Sequence, residues 1–218
     1  MLAKSVYTVF LLTAMLLTLL PSLNLTVSVF SKNAIPLDGQ IMQAGLYDIT
    51  GYTGAQPIRV TASGAGLTGT HSDLAIIISN GVAFTLRDAD LRCTRYNTAP
   101  ISIDGMNCKL MLLGDSSVKA DNNHAAGIHV PSGTSLLIKG PGSLRSEGSD
   151  NCIGIGGNME QSTGGITIQY ATVYASGGCF GDAINDTLVD VVSKKQSGDA
   201  IRTEGQGNIC CFGADITI

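Results

Sequence analysis

Residues 128–146 read Ile-His-Val-Pro-Ser-Gly-Thr-Ser-Leu-Leu-Ile-Lys-Gly-Pro-Gly-Ser-Leu-Arg-Ser, and this stretch decides the fold. Its short apolar segments alternate with polar residues, which is typical of strands that bury one face. The middle segment belongs to a series of equivalent strands, which are Phe84-Thr-Leu86, Leu110-Met-Leu112, Leu136-Leu-Ile138 and Ile166-Thr-Ile168. Such a series indicates an internal repeat of roughly 26 residues.

Each repeat contains two further strands. One precedes an Asn-Gly, Asp-Gly or Ser-Gly turn, and these dipeptides punctuate strands because they favour positive φ. These first strands are Ile76-Ile-Ile78, Ile101-Ser-Ile103 and Ile128-His-Val130. The last strand of each repeat carries one apolar residue, which is Leu91, Val118, Leu144 or Val173.

Stacking the repeats about 4.8 Å apart, as in hydrogen-bonded strands, places equivalent apolar residues in inward columns. The predicted columns are Phe84-Leu110-Leu136-Ile166, Leu86-Leu112-Ile138-Ile168 and Leu91-Val118-Leu144-Val173. One repeat cannot bury its face alone, but a stack can. An antiparallel sandwich would not require the same strand order at nearly constant spacing. We therefore expect an all-β parallel β-helix (solenoid) of about 6 coils of roughly 26 residues, with three short strands per coil.

The composition agrees with a single domain of short strands and many turns. The chain has 218 residues, of which 44% are hydrophobic and 14% are charged, and it contains 27 glycines. A formal net charge of −4 gives no reason to expect nucleic acid or an anionic membrane as a partner.

The N-terminus resembles a secretory leader. Lys4 precedes an apolar run from Val6 to Leu20, and Val29-Phe30-Ser31 fits a cleavage site. We expect residues 1–31 to be a cleaved signal peptide and residues 32–218 to be the β-helix domain. The alternative is an uncleaved membrane anchor, because Val6 to Phe30 is just long enough to span a bilayer.

The six cysteines leave two interpretations open. They are Cys93, Cys108, Cys152, Cys179, Cys210 and Cys211. Export permits disulfides, whose pairing the sequence cannot choose, and buried thiols explain the same residues equally well.

Several of these segments carry a family resemblance. Gly127-Ile-His-Val-Pro-Ser-Gly133-Thr-Ser-Leu-Leu-Ile-Lys-Gly140, Cys152-Ile-Gly-Ile-Gly-Gly157 and Ala171-Thr-Val-Tyr-Ala-Ser-Gly177 resemble repeats of bacterial cell-surface or secreted β-helix proteins. These proteins are common in gut Firmicutes and are described as carbohydrate-binding domain-containing. Cys152 and Asn158 depart from the usual Ala-Gly-Ile-Gly-Gly-Gly pattern. The resemblance implies a right-handed, pectin-lyase-like helix that is secreted or held at the cell surface.

One outward column is the candidate binding site. The residues that follow the last apolar position of each repeat are Arg92, Lys119, Arg145 and Tyr174, and we expect them to align on the outer surface. A basic ladder ending in a tyrosine could hold a polysaccharide or cell-surface glycan, whereas a solvated face with no ligand is the alternative.

No other pattern predicts a catalytic, cofactor or metal site. Asp88 and Asp90 share an outward face, but their expected counterparts in the next repeat are Gly114 and Ser117. His129 lies between two apolar residues, so it is expected to be exposed and isolated.

Three functions remain open. The first is a non-enzymatic carbohydrate-binding or adhesion module, and the second is a polysaccharide lyase or glycoside hydrolase. The third is a structural protein that associates end to end through its open solenoid edges.

Overall fold

The computed structural model describes residues 32–121, 124–150, 152–159 and 161–177, together with the backbone of strands at 189–193, 210–213 and 215–217. The expected signal peptide lies outside these residues. Among the described residues there are strands and turns but no helix, and thus no helix long and apolar enough to cross a membrane.

The strands pair in parallel in two sheets. The smaller sheet contains six strands, which are β2 (Gln40–Ile41), β4 (Ile58–Val60), β6 (Ile76–Ser79), β8 (Ile101–Asp104), β11 (Ile128–His129) and β14 (Ile155–Gly156). The larger sheet contains β1 (Lys32–Ala34), β3 (Gly45–Asp48), β5 (Ala65–His71), β7 (Ala83–Cys93), β9 (Cys108–Leu113), β10 (Asp115–Ala120), β12 (Ser135–Lys139), β13 (Ser143–Glu147), β15 (Gly165–Gln169), β16 (Thr172–Ser176), β17 (Val189–Ser193), β18 (Cys210–Gly213) and β19 (Asp215–Thr217).

The smaller sheet confirms the first strand of the predicted repeat. Its strands follow one another in chain order, and each pairs with the corresponding strand of the next repeat. Isoleucines therefore stack in register, in the order Ile58, Ile76, Ile101, Ile128 and Ile155. All five are fully buried, so backbone pairing and core packing reinforce the same register.

The larger sheet divides at β7, which corrects the prediction of three strands in every repeat. This strand is 11 residues long and pairs with β5 on one side. On its other side it pairs first with β9 and then with β10, which are separated by Gly114. The earlier repeats have one long strand where later repeats have two, and they are shorter, about 19 residues against about 27.

The predicted columns are wrong at one step. Leu110 pairs with Ile138 rather than Leu136, and Val118 pairs with Ser146 rather than Leu144. The remaining steps are confirmed, including Phe84 with Leu110 and Leu144 with Val173. The error is two residues, which keeps every side chain on its predicted face but changes its neighbours.

Two glycines allow neighbouring turns to stack closely in the observed register. Gly140 and Gly142 flank Pro141 between β12 and β13, and this turn lies directly against Leu112 and Gly114 of the preceding repeat. A Cβ on Gly140 would approach the Leu112 carbonyl oxygen to 2.3 Å, and one on Gly142 would approach the Gly114 carbonyl oxygen to 2.3 Å. Only residues without a side chain permit the two turns to stack this closely.

The core runs the length of the described stack. Buried apolar side chains from Ile35 to Ala175 form a single cluster, in which most large residues are fully covered. Each repeat contributes a thin layer, so stability depends on contacts between neighbouring repeats.

Leu112 and Leu113 provide a matched test of this core, because they are adjacent but face opposite sides of β9. Leu112 is fully buried and Leu113 is 40% exposed. We expect Leu112→Asp to cost on the order of 4 kcal/mol or more, because it buries an unpaired charge. Leu113→Asp should change the free energy of unfolding by about 0.5 kcal/mol or less. Urea unfolding followed by circular dichroism measures both, and equal losses would contradict the assigned faces.

Gly142 and Gly165 test the register. We expect Gly142→Ala to destabilise the protein by about 1–3 kcal/mol, because its Cβ would overlap the Gly114 backbone. In Gly165→Ala the new Cβ would meet Ser135 Cβ at 3.7 Å, an ordinary contact, so little change is expected. If Gly142→Ala unfolds at the same urea concentration as the parent, the stacking of these turns is wrong.

Candidate functional site

The predicted outward column is divided between two neighbouring ladders. Pairing through β7, β10, β13 and β16 gives the first ladder as Asp90, Ser117, Arg145 and Tyr174. The second ladder is Arg92, Lys119, Glu147 and Ser176. The predicted alignment of Lys119 with Arg145 is therefore wrong, because the shift of two residues pairs Lys119 with Glu147.

The second ladder is not a basic surface. Lys119 Nζ lies 2.9 Å from a Glu147 carboxylate oxygen and 3.3 Å from one of Asp121. Arg92 is 3.4 Å from the same Asp121 carboxylate group. Hydrogen bonds to Glu147 and Asp121 raise the pKa of Lys119, with the Glu147 contact the stronger cause. Both cations are thus already paired within the protein.

The first ladder borders an open depression of about 410 Å³. Its lining residues are Asp88, Ala89, Asp90, Asp115, Ser116, Ser117, Ser143, Arg145 and Tyr174. We call it the outer depression. It lies on the solvent face of β7, β10, β13 and β16, so four consecutive repeats build it.

Each repeat fixes a carboxylate of the previous one. The Ser117 hydroxyl donates to Asp90, and the Ser143 hydroxyl donates to Asp115 over 2.6 Å. Asp88 has a positive φ of 49° and accepts the Asp115 backbone N–H at 3.2 Å. These bonds orient the three carboxylates while leaving other oxygen lone pairs free to accept from a ligand.

Arg145 and Tyr174 complete the outer depression. They are neighbours across β13 and β16, and both side chains are exposed, Tyr174 to 40%. Among the described residues, Arg145 forms no ion pair, in contrast to Arg92 and Lys119. An available guanidinium, an aromatic face and oriented carboxylates can together donate to, accept from and stack on a polar ring.

The carboxylates were not predicted to meet. From the sequence, Asp88 and Asp90 seemed to face only Gly114 and Ser117, and Asp115 was missed as a member of the site. Its proximity follows from a bulge at Gly114: between the pairs Arg87–Leu113 and Asp90–Ser117, the side that contains Gly114 has one residue more than β7. Among the described residues, no three His, Cys, Asp or Glu side chains form a group suited to a metal ion.

A second depression, of about 430 Å³, lies on the solvent face of β9, β12 and β15. Among the described residues that line it, Lys109 is the one charged residue, and it pairs with Leu137 across the strands. Thr167 pairs with Leu137 on the other side. This surface offers fewer oriented polar groups than the outer depression.

The described cysteines are buried thiols. Cys93, Cys108 and Cys152 are buried in the core as thiols, which agrees with the buried-thiol interpretation for these three. Burial raises the pKa of Cys93 and of Cys108, so neither favours a thiolate. The side chains of Cys179, Cys210 and Cys211 lie outside the described residues.

His129 is not the exposed residue that was predicted. The residues before β15 lie against the turn that follows β11, where Gly164 N–H donates to the Val130 carbonyl at 2.9 Å and Ser132 N–H donates to the Ser162 carbonyl at 3.1 Å. The Nε2 atom of His129 is buried and has no hydrogen-bond partner in the described part of the chain. Burial lowers the pKa of His129, with a weaker opposing effect from Gln161. The Gly-rich insert was visible in the sequence, but its contacts with the turn after β11 were not.

No protein-family model, curated protein or solved structure matches the chain.

The lowered pKa of His129 predicts a pH dependence of stability. In the unfolded chain the imidazole binds a proton near pH 6.5, whereas in the folded chain it does so at lower pH. The contribution of neutral His129 to the free energy of unfolding is therefore complete above about pH 6.5. It is lost as the pH falls toward the pKa of the folded state, and the free energy of unfolding changes by at most about 1.4 kcal/mol per pH unit. Urea unfolding is measured between about pH 5 and pH 7.5, a range that includes the ordinary histidine pKa. Over this range, the free energy of unfolding of His129→Phe should vary less with pH than that of the parent. Parallel profiles would contradict the assignment.

Proposed function

We propose that this chain is an exported, non-enzymatic carbohydrate-binding module, and that the outer depression binds the glycan. The observation that carries the proposal is a grouping of side chains on one open face: oriented carboxylates, an exposed Tyr174, and Arg145, which has no ion-pair partner among the described residues. Sugar rings offer hydroxyl donors and acceptors together with an apolar face, so this combination of groups suits them.

The proposed architecture is a right-handed parallel β-helix. Strands of the two sheets alternate along the chain, and each pairs in parallel with its equivalent in the next repeat. A chain that winds through both sheets once per repeat meets this pattern. The right hand is supported by the strong preference for right-handed crossovers between parallel strands of one sheet.

The sequence supports the location. A basic residue, an apolar run and a fitting cleavage site at residues 1–31 favour export, to the medium or the cell surface. The resemblance to carbohydrate-binding β-helix proteins of bacterial surfaces points to the same compartment and ligand class.

A glycoside hydrolase is the second candidate, favoured by the three carboxylates in the outer depression. Hydrolysis needs one carboxyl group that stays protonated at neutral pH, which apolar burial usually provides. Asp88 and Asp115 are exposed, and Asp90 accepts a hydroxyl hydrogen bond from Ser117. These surroundings favour binding over catalysis.

The binding proposal predicts different roles for residues of the predicted outward column. After a glycan-array screen of the full chain identifies a ligand, Arg145→Ala and Tyr174→Ala should each weaken binding about ten-fold, or about 1.4 kcal/mol. Arg92→Ala should change it less than about two-fold, because that side chain is paired with Asp121 outside the depression. Isothermal titration calorimetry measures the affinities.

Three other outcomes would each contradict the binding proposal in a different way. Binding lost equally in Arg92→Ala and Arg145→Ala would favour the continuous basic column over the outer depression. Binding to no glycan would remove the proposal, and release of new reducing ends from the bound polymer would favour the hydrolase.

A further inference from the structure

The charge of the outer depression points to its ligand class. Among its described lining residues there are three carboxylates, from Asp88, Asp90 and Asp115, and one cation, Arg145. The adjacent cations do not offset this excess, because Lys119 and Arg92 lie within 3.4 Å of Asp121 or Glu147 carboxylate oxygens. The depression is therefore acidic, although its sequence neighbourhood is rich in basic residues.

The carboxylates are oriented as acceptors. The hydroxyl groups of Ser117 and Ser143 each donate one hydrogen bond to an aspartate of the preceding repeat, and both serines line the depression beside those aspartates. An incoming ligand thus meets carboxylate oxygens with lone pairs to fill. A group with several N–H donors and a positive charge satisfies more of them than a hydroxyl does, and a carboxylate would be repelled.

Arg145 sets a second requirement. Its guanidinium has donors only, so it needs acceptor oxygens such as sugar hydroxyl or ring oxygens. Tyr174, its neighbour across the strands, offers an exposed aromatic ring for the apolar face of a sugar. A ligand that satisfies the whole lining carries both amine donors and sugar oxygens.

Resting on the function proposed above, we infer that the outer depression selects amine-bearing glycans, of the glucosamine type, over acidic glycans. Asp90 and Asp115 are the specificity-determining residues, and Ser117 and Ser143 are positioning residues. Arg145 and Tyr174 bind the sugar in either case. The carboxylates therefore determine which glycans are preferred, whereas the remaining lining residues contribute to the affinity for every glycan.

The test compares two oligomers that share a backbone. Glucosamine hexamer and N-acetylglucosamine hexamer are titrated into the full chain by calorimetry, at a pH where the amines are protonated, with oligogalacturonate as the acidic probe. We expect the parent to bind the amine form at least about ten-fold more tightly than the acetylated form, and oligogalacturonate least. Asp90→Asn/Asp115→Asn should remove most of this preference, while retaining hydroxyl contacts.

A matched variant separates local from overall charge. Asp104→Asn/Asp150→Asn removes two exposed carboxylates outside the outer depression, so its change in net charge is the same. It should keep the amine preference. An equal loss in both double variants would overturn the inference, because attraction would then follow net charge alone. Urea unfolding of each variant checks that its fold is retained.

The remaining outcomes separate the two proposals. If both hexamers bind equally and binding needs Arg145 and Tyr174, the amine preference is overturned and the carbohydrate-binding function stands. If oligogalacturonate binds most tightly, the charge argument is wrong. If no oligomer binds in a manner that Arg145→Ala weakens, the amine preference is overturned. The carbohydrate-binding proposal fails as well if the ligand found on the glycan array also binds Arg145→Ala as tightly as the parent.

Discussion

The parallel hydrogen bonding between each strand and its equivalent in the next repeat is the constraint on which the structure depends. Once Leu110 is paired with Ile138, every side chain of β9 that faces β12 has a fixed neighbour across the strands. Inward residues form the core and outward residues form ladders. The same bonds therefore determine both stability and surface chemistry, and neither can change independently of the register.

The alternation of buried and exposed residues along the strands permits more than one register, and the turns between the strands select one of them. Repeats two residues out of step would still bury apolar residues, because the alternation of faces has a period of two. What distinguishes the alternatives is the geometry between strands, where Gly142 fits against Gly114 without a side chain. Local backbone shape thus selects one arrangement among several that hydrophobic patterning permits.

The sequence predicted the class of strand pairing, the repeats and the face of nearly every residue in them. These follow from alternation and turn chemistry, which are local properties. The error at Leu110 arose because β9 has three alternating buried positions, Cys108, Leu110 and Leu112, whereas β12 has only Leu136 and Ile138 before Gly140. Either pairing satisfies the pattern, so composition alone could not choose between them.

The candidate site was predicted only in part, for a related reason. Arg145 and Tyr174 were correctly expected to be outward neighbours, since the step between β13 and β16 was aligned correctly. Asp115 was missed because its place depends on the bulge at Gly114, and the burial of His129 depends on a loop path that leaves no periodic signal. Contacts within a regular ladder can be read from spacing, whereas contacts made by bulges and returning loops require the three-dimensional path.

The shift of two residues also changes the chemistry of the surface. In the predicted alignment, Arg92, Lys119 and Arg145 would stand in one column and repel one another weakly in water. In the observed pairing, Lys119 instead faces Glu147, and Arg145 faces Ser117, whose hydroxyl is engaged with Asp90. The shift thereby gives Lys119 an ion pair with Glu147, while Arg92 pairs with Asp121 independently of it. Such surface pairs contribute about 0–1 kcal/mol each. In the described part of the chain the third cation, Arg145, has no ion-pair partner and lies beside Asp88, Asp90 and Asp115. The register that packs the core therefore also separates Arg145 from the other two basic side chains.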